Sequence, residues 1–463
     1  MVYYSYSRSN MKYISSWLLA ISLLVCVPVS AQEVKKDAMK EAAKSHLKQH
    51  FKPYGFIRNY FTYDSRESIS GTGDLYNYQP KDQSLNAYGD DLNAISTFRF
   101  LSLTTRVGLN IVGYQWGKTE FGGKIEADFY AGLSTKTAQT HSVSGVAQFR
   151  LRQAYLTLGW DSLKMGKNYA RVDLLIGQAW HPMAADLCDA IALNSGAPFG
   201  PFSRTPQVKM DARLGKYFTL TAAGIWQMQY NSTGPEGQSA EYIGYSKTPE
   251  AYVGISVHDK GWLFRAGADV LSIKPRHLGT DAAGEKVKVN DRITTASPFV
   301  YLQYKQGEFS FKAKSIFASA GEHMNLNGGY GVSKINADGS YEYTPTRNSS
   351  TWISIVYGGK VGRQEDKHPQ KLQGILFGGY IHNFGTKDEL VGALYTPRPS
   401  NMHQMWRLSP TLVWTIGKFQ LGCEYEITSV QYGQGPVDNH GLALNGLHWV
   451  TNHRVQLMTK YNF

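Results

Sequence analysis

The chain has 463 residues, 42% of them hydrophobic, a formal net charge of +12 and three cysteines. No apolar run reaches the roughly 18 residues of a membrane-spanning helix, and so few cysteines exclude a disulfide framework. The 30 tyrosines, 46 glycines and 10 tryptophans, with little helix-forming composition, favour extended strands with an aromatic rim.

In chain order the first element is a secretory signal peptide over residues 1–31. Lys12 opens it, an apolar stretch runs over 17–29, and Val29-Ser30-Ala31 forms the cleavage box. Met11 fits this pattern better than Met1 as the start. Export removes Arg8 and Lys12 from the net charge and makes nucleic acid an unsuitable partner for the basic surface that remains. Residues 32–52 form a short periplasmic spacer. Within it 33–50 is the one strongly helical stretch, with Met39, Ala42, Ala43 and Leu47 on one face.

From Phe51 a period of two predicts sixteen strands: 53–64, 97–113, 119–132, 146–160, 170–180, 205–214, 217–229, 247–258, 261–272, 291–305, 308–318, 350–360, 371–382, 405–416, 419–430 and 450–463. In "EFGGKIEADFYA", Phe121, Ile125, Ala127 and Phe129 oppose Glu120, Lys124, Glu126 and Asp128. In "KFQLGCEYEIT", Phe419, Leu421, Cys423, Tyr425 and Ile427 oppose Lys418, Gln420, Glu424 and Glu426. "FRLRQAYLTLGW" and "KLQGILFGGYIH" keep no single phase. The odd-numbered connections are long (65–96, 133–145, 181–204, 230–246, 273–290, 319–349, 383–404, 431–449). The even-numbered ones are mostly tight turns such as "GKY" and "TIGKF", with 161–169 and 361–370 as exceptions.

Hydrocarbon offers no hydrogen-bond partners, so strands cross it only as a closed ring. Such barrels have short turns at one end and long loops at the other, and a ring of sixteen leaves an aqueous lumen. The expected fold is therefore an all-β, 16-stranded antiparallel transmembrane barrel over 53–463. In 218–230 the apolar face, Phe218, Leu220, Ala222, Gly224, Trp226, Met228 and Tyr230, is expected toward lipid, with Trp226 to Tyr230 in an interfacial girdle.

The last strand, "HRVQLMTKYNF", ends on Phe463 and resembles the C-terminal signature of Gram-negative outer-membrane barrels. With "GFIRNYFTYDSRES" (55–68), "TRVGLNI" (105–111), "GKIEADFYAG" (123–132), "FRLRQAYLTLG" (149–159) and "LLIGQAWHP" (174–182), the chain resembles the trimeric porins, in particular the DcaP-like branch and its Bacteroidetes relatives. The resemblance implies a homotrimer set among outer-membrane lipids and lipopolysaccharide. It also implies passive diffusion of small hydrophilic solutes and a preference for anions, carboxylates among them. In that branch an N-terminal periplasmic helix helps to hold the trimer.

A passive channel needs a constriction and a field, not a catalyst or cofactor. Residues 181–204 match by position the loop that trimeric porins fold inward, and Asp186 and Asp189 are its acids. Arg58, Arg106, Lys124, Lys209, Arg213, Arg265, Lys312, Lys314, Arg407, Arg454 and Lys460 fall on polar faces, and Arg171 joins the pore-lining set. Arg150 and Arg152, flanked by apolar Phe149 and Leu151, are the leading pore-side pair, because a mid-depth arginine toward lipid costs roughly 2–4 kcal/mol. The arginines are expected to attract carboxylates while Asp186 and Asp189 sharpen a transverse field. The thirteen histidines show no HExxH and no cluster with cysteine, so no metal site is expected. No GxSxG is present, and "NGGYG" (327–331) reads as a flexible loop. A second reading is a surface interaction barrel without an open pore, with loops 65–96 and 319–349 as its working parts.

Overall fold

The computed structural model describes residues 49–71, 75–130, 148–165, 168–191, 196–362 and 368–463. The expected signal peptide and most of the 33–50 helix lie outside these residues. Among them no helix is long and apolar enough to cross a membrane, which says nothing of a β-barrel.

Sixteen strands form one antiparallel ring. They are β1 (Phe51–Asp64), β2 (Arg106–Trp116, led by the short segment Thr97–Leu101), β3 (Thr119–Tyr130), β4 (Gln148–Met165), β5 (Asn168–Trp180), β6 (Arg204–Leu214), β7 (Phe218–Ile225) and β8 (Glu250–Asp259). They continue as β9 (Trp262–Ile273), β10 (Ile293–Gln306), β11 (Phe309–Ser319), β12 (Tyr341–Val361), β13 (Gln370–Thr386), β14 (Met402–Ile416), β15 (Phe419–Gln434) and β16 (Asn445–Asn462). Each pairs with the next, and β1 closes on β16 from Phe56↔Asn462 to Asp64↔Arg454. Closure leaves no sheet edge, so the ladder satisfies its own backbone groups.

Polarity runs opposite to that of a soluble protein. Along β15, Glu424 and Glu426 are 1% and 0% exposed, whereas Leu421 and Tyr425 between and beside them are 36% and 39% exposed. The last strand repeats this: Arg454 and Gln456 are buried, and Val455, Leu457 and Tyr461 are exposed. The outer surface is therefore oily and the inner one polar, as hydrocarbon outside and water inside require.

The short connections are tight, and left-handed glycines turn several of them: Gly117 (φ +60°), Gly215 (φ +64°), Gly307 (φ +55°) and Gly417 (φ +56°). The 161–169 exception disappears, because β4 and β5 extend until Met165 faces Asn168. An irregularity between Trp160 and Leu163, where Ser162 has φ +58°, hid that extension from a strict period of two.

The two strands without a single phase have different causes. In β4 a bulge opposite Glu126/Ala127 lets Arg152 and Gln153 both turn inward. The outward positions accordingly switch from Phe149 and Leu151 to Leu156. In β13 the alternation is intact, with Leu376 and Tyr380 outside and Phe377 and Ile381 inside. Both faces are apolar because the interior face packs on folded-in chain.

β7 stops at Ile225, earlier than its pattern suggests. Phe218, Leu220, Trp226 and Met228 are exposed as expected. Tyr230 is not in the outer girdle. It packs at 6.4 Å from the Phe202 ring, and its hydroxyl lies 3.1 Å from that of Tyr78. Three long connections supply such interior packing. One is the hairpin Ser68–Gly71/Tyr76–Pro80, another the segment 181–203, and the third the turn around Glu322–Met324.

Candidate functional site

The inner faces of β1 to β6 carry a connected group of cations. Arg150 grips Asp128 at 3.0 and 3.1 Å, and Arg152 bonds both Glu126 (2.8 Å) and Asp128 (2.6 Å). Arg106 and Lys124 lie 3.6 and 3.7 Å from Glu126, which also accepts the Tyr54 hydroxyl at 2.7 Å. Arg58 stacks on Phe56 and Tyr60 at 4.9 and 5.0 Å, and Lys460 lies 4.6 Å from the Phe56 centroid. Arg204 stacks on Trp180 at 4.9 Å, with Arg152 at 5.9 Å from the same ring. Seven basic side chains thus surround two carboxylates, Glu126 and Asp128.

Local geometry holds these cations without neutralising them. Arg58 donates from Nε to the Thr104 hydroxyl at 3.1 Å. Thr104 sits in the break ahead of β2 at φ +68°, a conformation unfavourable for a β-branched residue. Arg204 Nη1 and Arg106 Nε are buried N–H groups with no acceptor among the described residues. Aromatic faces stabilise a guanidinium while leaving its N–H fork available to a ligand.

No protein-family profile matches the chain, and no curated protein does. Solved structures do match. The outer membrane channel DcaP of Acinetobacter baumannii aligns at a TM-score of 0.59 over 89% of this chain and 97% of that one, with 19% identity. The chain has the fold of a Gram-negative outer-membrane β-barrel. OmpT of Vibrio cholerae (TM-score 0.47, 10% identity, 89% and 97% covered) and an anion-selective porin from Comamonas acidovorans (0.45, 10%, 89% and 97%) are looser likenesses that carry no further argument. The expected kinship with Bacteroidetes relatives gains no support from them.

In this porin-like barrel the basic candidates separate into three sets. Arg58, Arg106, Lys124, Arg150 and Arg152 belong to the cluster above. Arg171, Lys209 and Arg213 do not. Arg171 bonds Glu120, Asp161 and Asp173, each at 2.8 Å, Arg213 reaches Asp173 at 3.3 Å, and Lys209 reaches Asp211 at 2.6 Å. That patch sets three cations against four carboxylates and so adds no positive field.

The third set holds the segment after β5. Asp186 pairs with Arg265 of β9 and lies 3.3 Å from Lys314 of β11, and Asp189 pairs with Lys312 at 2.7 Å. The acids expected to sharpen a transverse field are thus paired with Arg265, Lys312 and Lys314. The rest of the segment follows the same side. Ile191 N donates to Glu424 at 2.8 Å, and Ser350 donates to the Phe199 carbonyl at 2.7 Å. Arg407 donates to the Ala197 carbonyl at 3.1 Å. Cys188 is buried in this packing, which pushes its thiol well above the usual range, with Asp189 and Glu424 adding to the effect.

Sequence reasoning missed two features. Arg204 and Trp180 flank the long segment and carry no motif. The hairpin Tyr76–Pro80 turns inside, where Gln79 donates to Tyr432 at 2.9 Å and Tyr76 packs 5.8 Å from Phe202. Its "YNYQP" alternates no charge and reads as an ordinary loop. The Glu322–Met324 turn is likewise buried, so substantial parts of loops 65–96 and 319–349 are committed to internal packing rather than display.

Proposed function

We propose that the chain is a passive diffusion channel for small hydrophilic solutes across the outer membrane, assembled as a homotrimer, with a preference for anions. The observation that carries the preference is the cluster on β1 to β6 and β16 in which seven basic groups surround two carboxylates. In a water-filled, low-dielectric-walled passage such a ring raises the local anion concentration. The part-exposed Arg106, Lys124 and Arg150 form the basic ladder that an anion meets, with the buried charges of Arg58, Arg152 and Arg204 behind it. The interior packing of the 181–203 segment narrows the passage on the opposite side.

Reversal potentials of single channels in a salt gradient test this directly. The parent is expected to be anion-selective. Arg152→Gln with Arg204→Gln lowers the anion-to-cation permeability ratio by about twofold or more. Cation selectivity of the parent, or a ratio indifferent to both substitutions, removes the proposal. The size of the purified native particle reports the trimer separately.

A further inference from the structure

At the long-loop end of the barrel, beside the stack of Arg204 on Trp180, four titratable side chains converge. His181 follows β5, Glu250 opens β8, Asp269 lies on β9 and His323 lies in the turn after β11, and none is more than 2% exposed. His323 Nε2 is 3.6 Å from Glu250 Oε1 and 3.4 Å from Asp269 Oδ2. His181 Nε2 is 2.6 Å from Glu250 Oε1 and 3.6 Å from Asp269 Oδ1.

The hydrogen bonds fix what each ring offers. His323 Nδ1 faces the Ala320 carbonyl at 3.1 Å, so it donates there, and a neutral ring presents the Nε2 lone pair to the two carboxylates. Two acceptors and a lone pair then face one another. His323 Nε2, Glu250 Oε2 and Asp269 Oδ1 have no hydrogen-bond partner among the described residues. His181 Nδ1 accepts the Met183 N–H at 3.1 Å, so its neutral ring donates from Nε2 to Glu250. The separations of 3.4 and 3.6 Å from His323 suit ligands about 2.0–2.1 Å from one tetrahedral metal, whose ligand atoms stand about 3.4 Å apart.

We propose that His323, Glu250 and Asp269 bind one divalent transition-metal ion, zinc foremost. His181 steadies Glu250 from outside the coordination shell. One of the unpartnered second carboxylate oxygens completes a four-coordinate shell. Two carboxylates and a divalent ion balance in charge. The donation from His323 to a backbone carbonyl and from His181 to a ligating carboxylate are the outer-shell contacts that metal ligands ordinarily have. The ion joins β8 and β9 to the turn after β11, beside the root of the inward segment. It does so whether or not the barrel conducts.

The test uses the full chain purified in detergent, stripped with EDTA and titrated with Zn2+, with bound metal measured by elemental mass spectrometry. One equivalent of zinc is expected, together with a higher unfolding temperature and, with Co2+, the intense visible bands of a four-coordinate site. His323→Ala and the milder His323→Gln are expected to weaken binding by about 10-fold or more, whereas His453→Ala, on the outer face, leaves it unchanged. A folded parent that binds no zinc overturns the site. So does unchanged affinity in a His323 variant whose β-sheet circular dichroism matches the parent.

Discussion

Gly379 of β13 receives the Phe199 ring so closely that a Cβ there would stand 2.6 Å from it. On β15, Gly422 receives Ile191 in the same way, with 2.4 Å to its Cδ1. These positions are sockets in the wall, and glycine is needed for space rather than for dihedral freedom. Gly379→Leu is expected to expel Phe199 at a cost of about 1–3 kcal/mol. The ladder to Trp352 and Arg407 stays, since it runs through the backbone. The expected result is a folded barrel with larger and noisier single-channel currents. Parent-like currents would show that Phe199 does not limit the passage. No residue pattern announces a socket, because its partner lies far along the chain. Arg152 was easier to find: a cation next to Leu151 had to face inward, since lipid would not tolerate it. Its bulge was hidden, because a bulge depends on the register of the neighbouring strand.

At the scale of elements, the strands were legible and the folded-in loops were not. A strand's pattern is imposed by two solvents meeting it locally, lipid on one side and water on the other, and so it is written residue by residue. The 181–203 segment is held by contacts with β9, β11, β12, β14 and β15, all of them distant in sequence. Its position after the fifth strand was the only sign of inward folding, and nothing in it named Arg265 or Lys312 as the partners of its acids. The histidines show the same limit, since His181 and Glu250 are 69 residues apart and no motif of fixed spacing joins them. Because the segment takes up interior volume, replacing 185–199 with a short Gly-Ser link widens the passage. Conductance in a planar bilayer is expected to rise about twofold or more, with anion preference reduced but not reversed, since the basic ladder remains. A fall in conductance would mean that the segment props the lumen open rather than narrowing it.

At the scale of the whole molecule, closure decides everything else, and it rests on the seam between the first and last strands. Asp64 and Arg454 face each other there and are buried on the inner side. Arg454 Nε and Nη2 each reach a different Asp64 oxygen at 2.8 Å, and its Nη1 donates to the Leu75 carbonyl at 2.7 Å. The pair therefore locks the seam and ties the first interior hairpin to it. Asp64→Leu alone removes the carboxylate that two nitrogens of this buried guanidinium bond, which costs about 3–5 kcal/mol. Combining it with Arg454→Met removes both charges, and most of that loss is expected to return, because apolar packing can replace a buried ion pair. The temperature at which the folded barrel unfolds in detergent, followed by circular dichroism, separates these outcomes. It should drop for the single variant and recover for the double. A single variant as stable as the parent would show that backbone pairing from Phe56 to Asp64 closes the ring unaided.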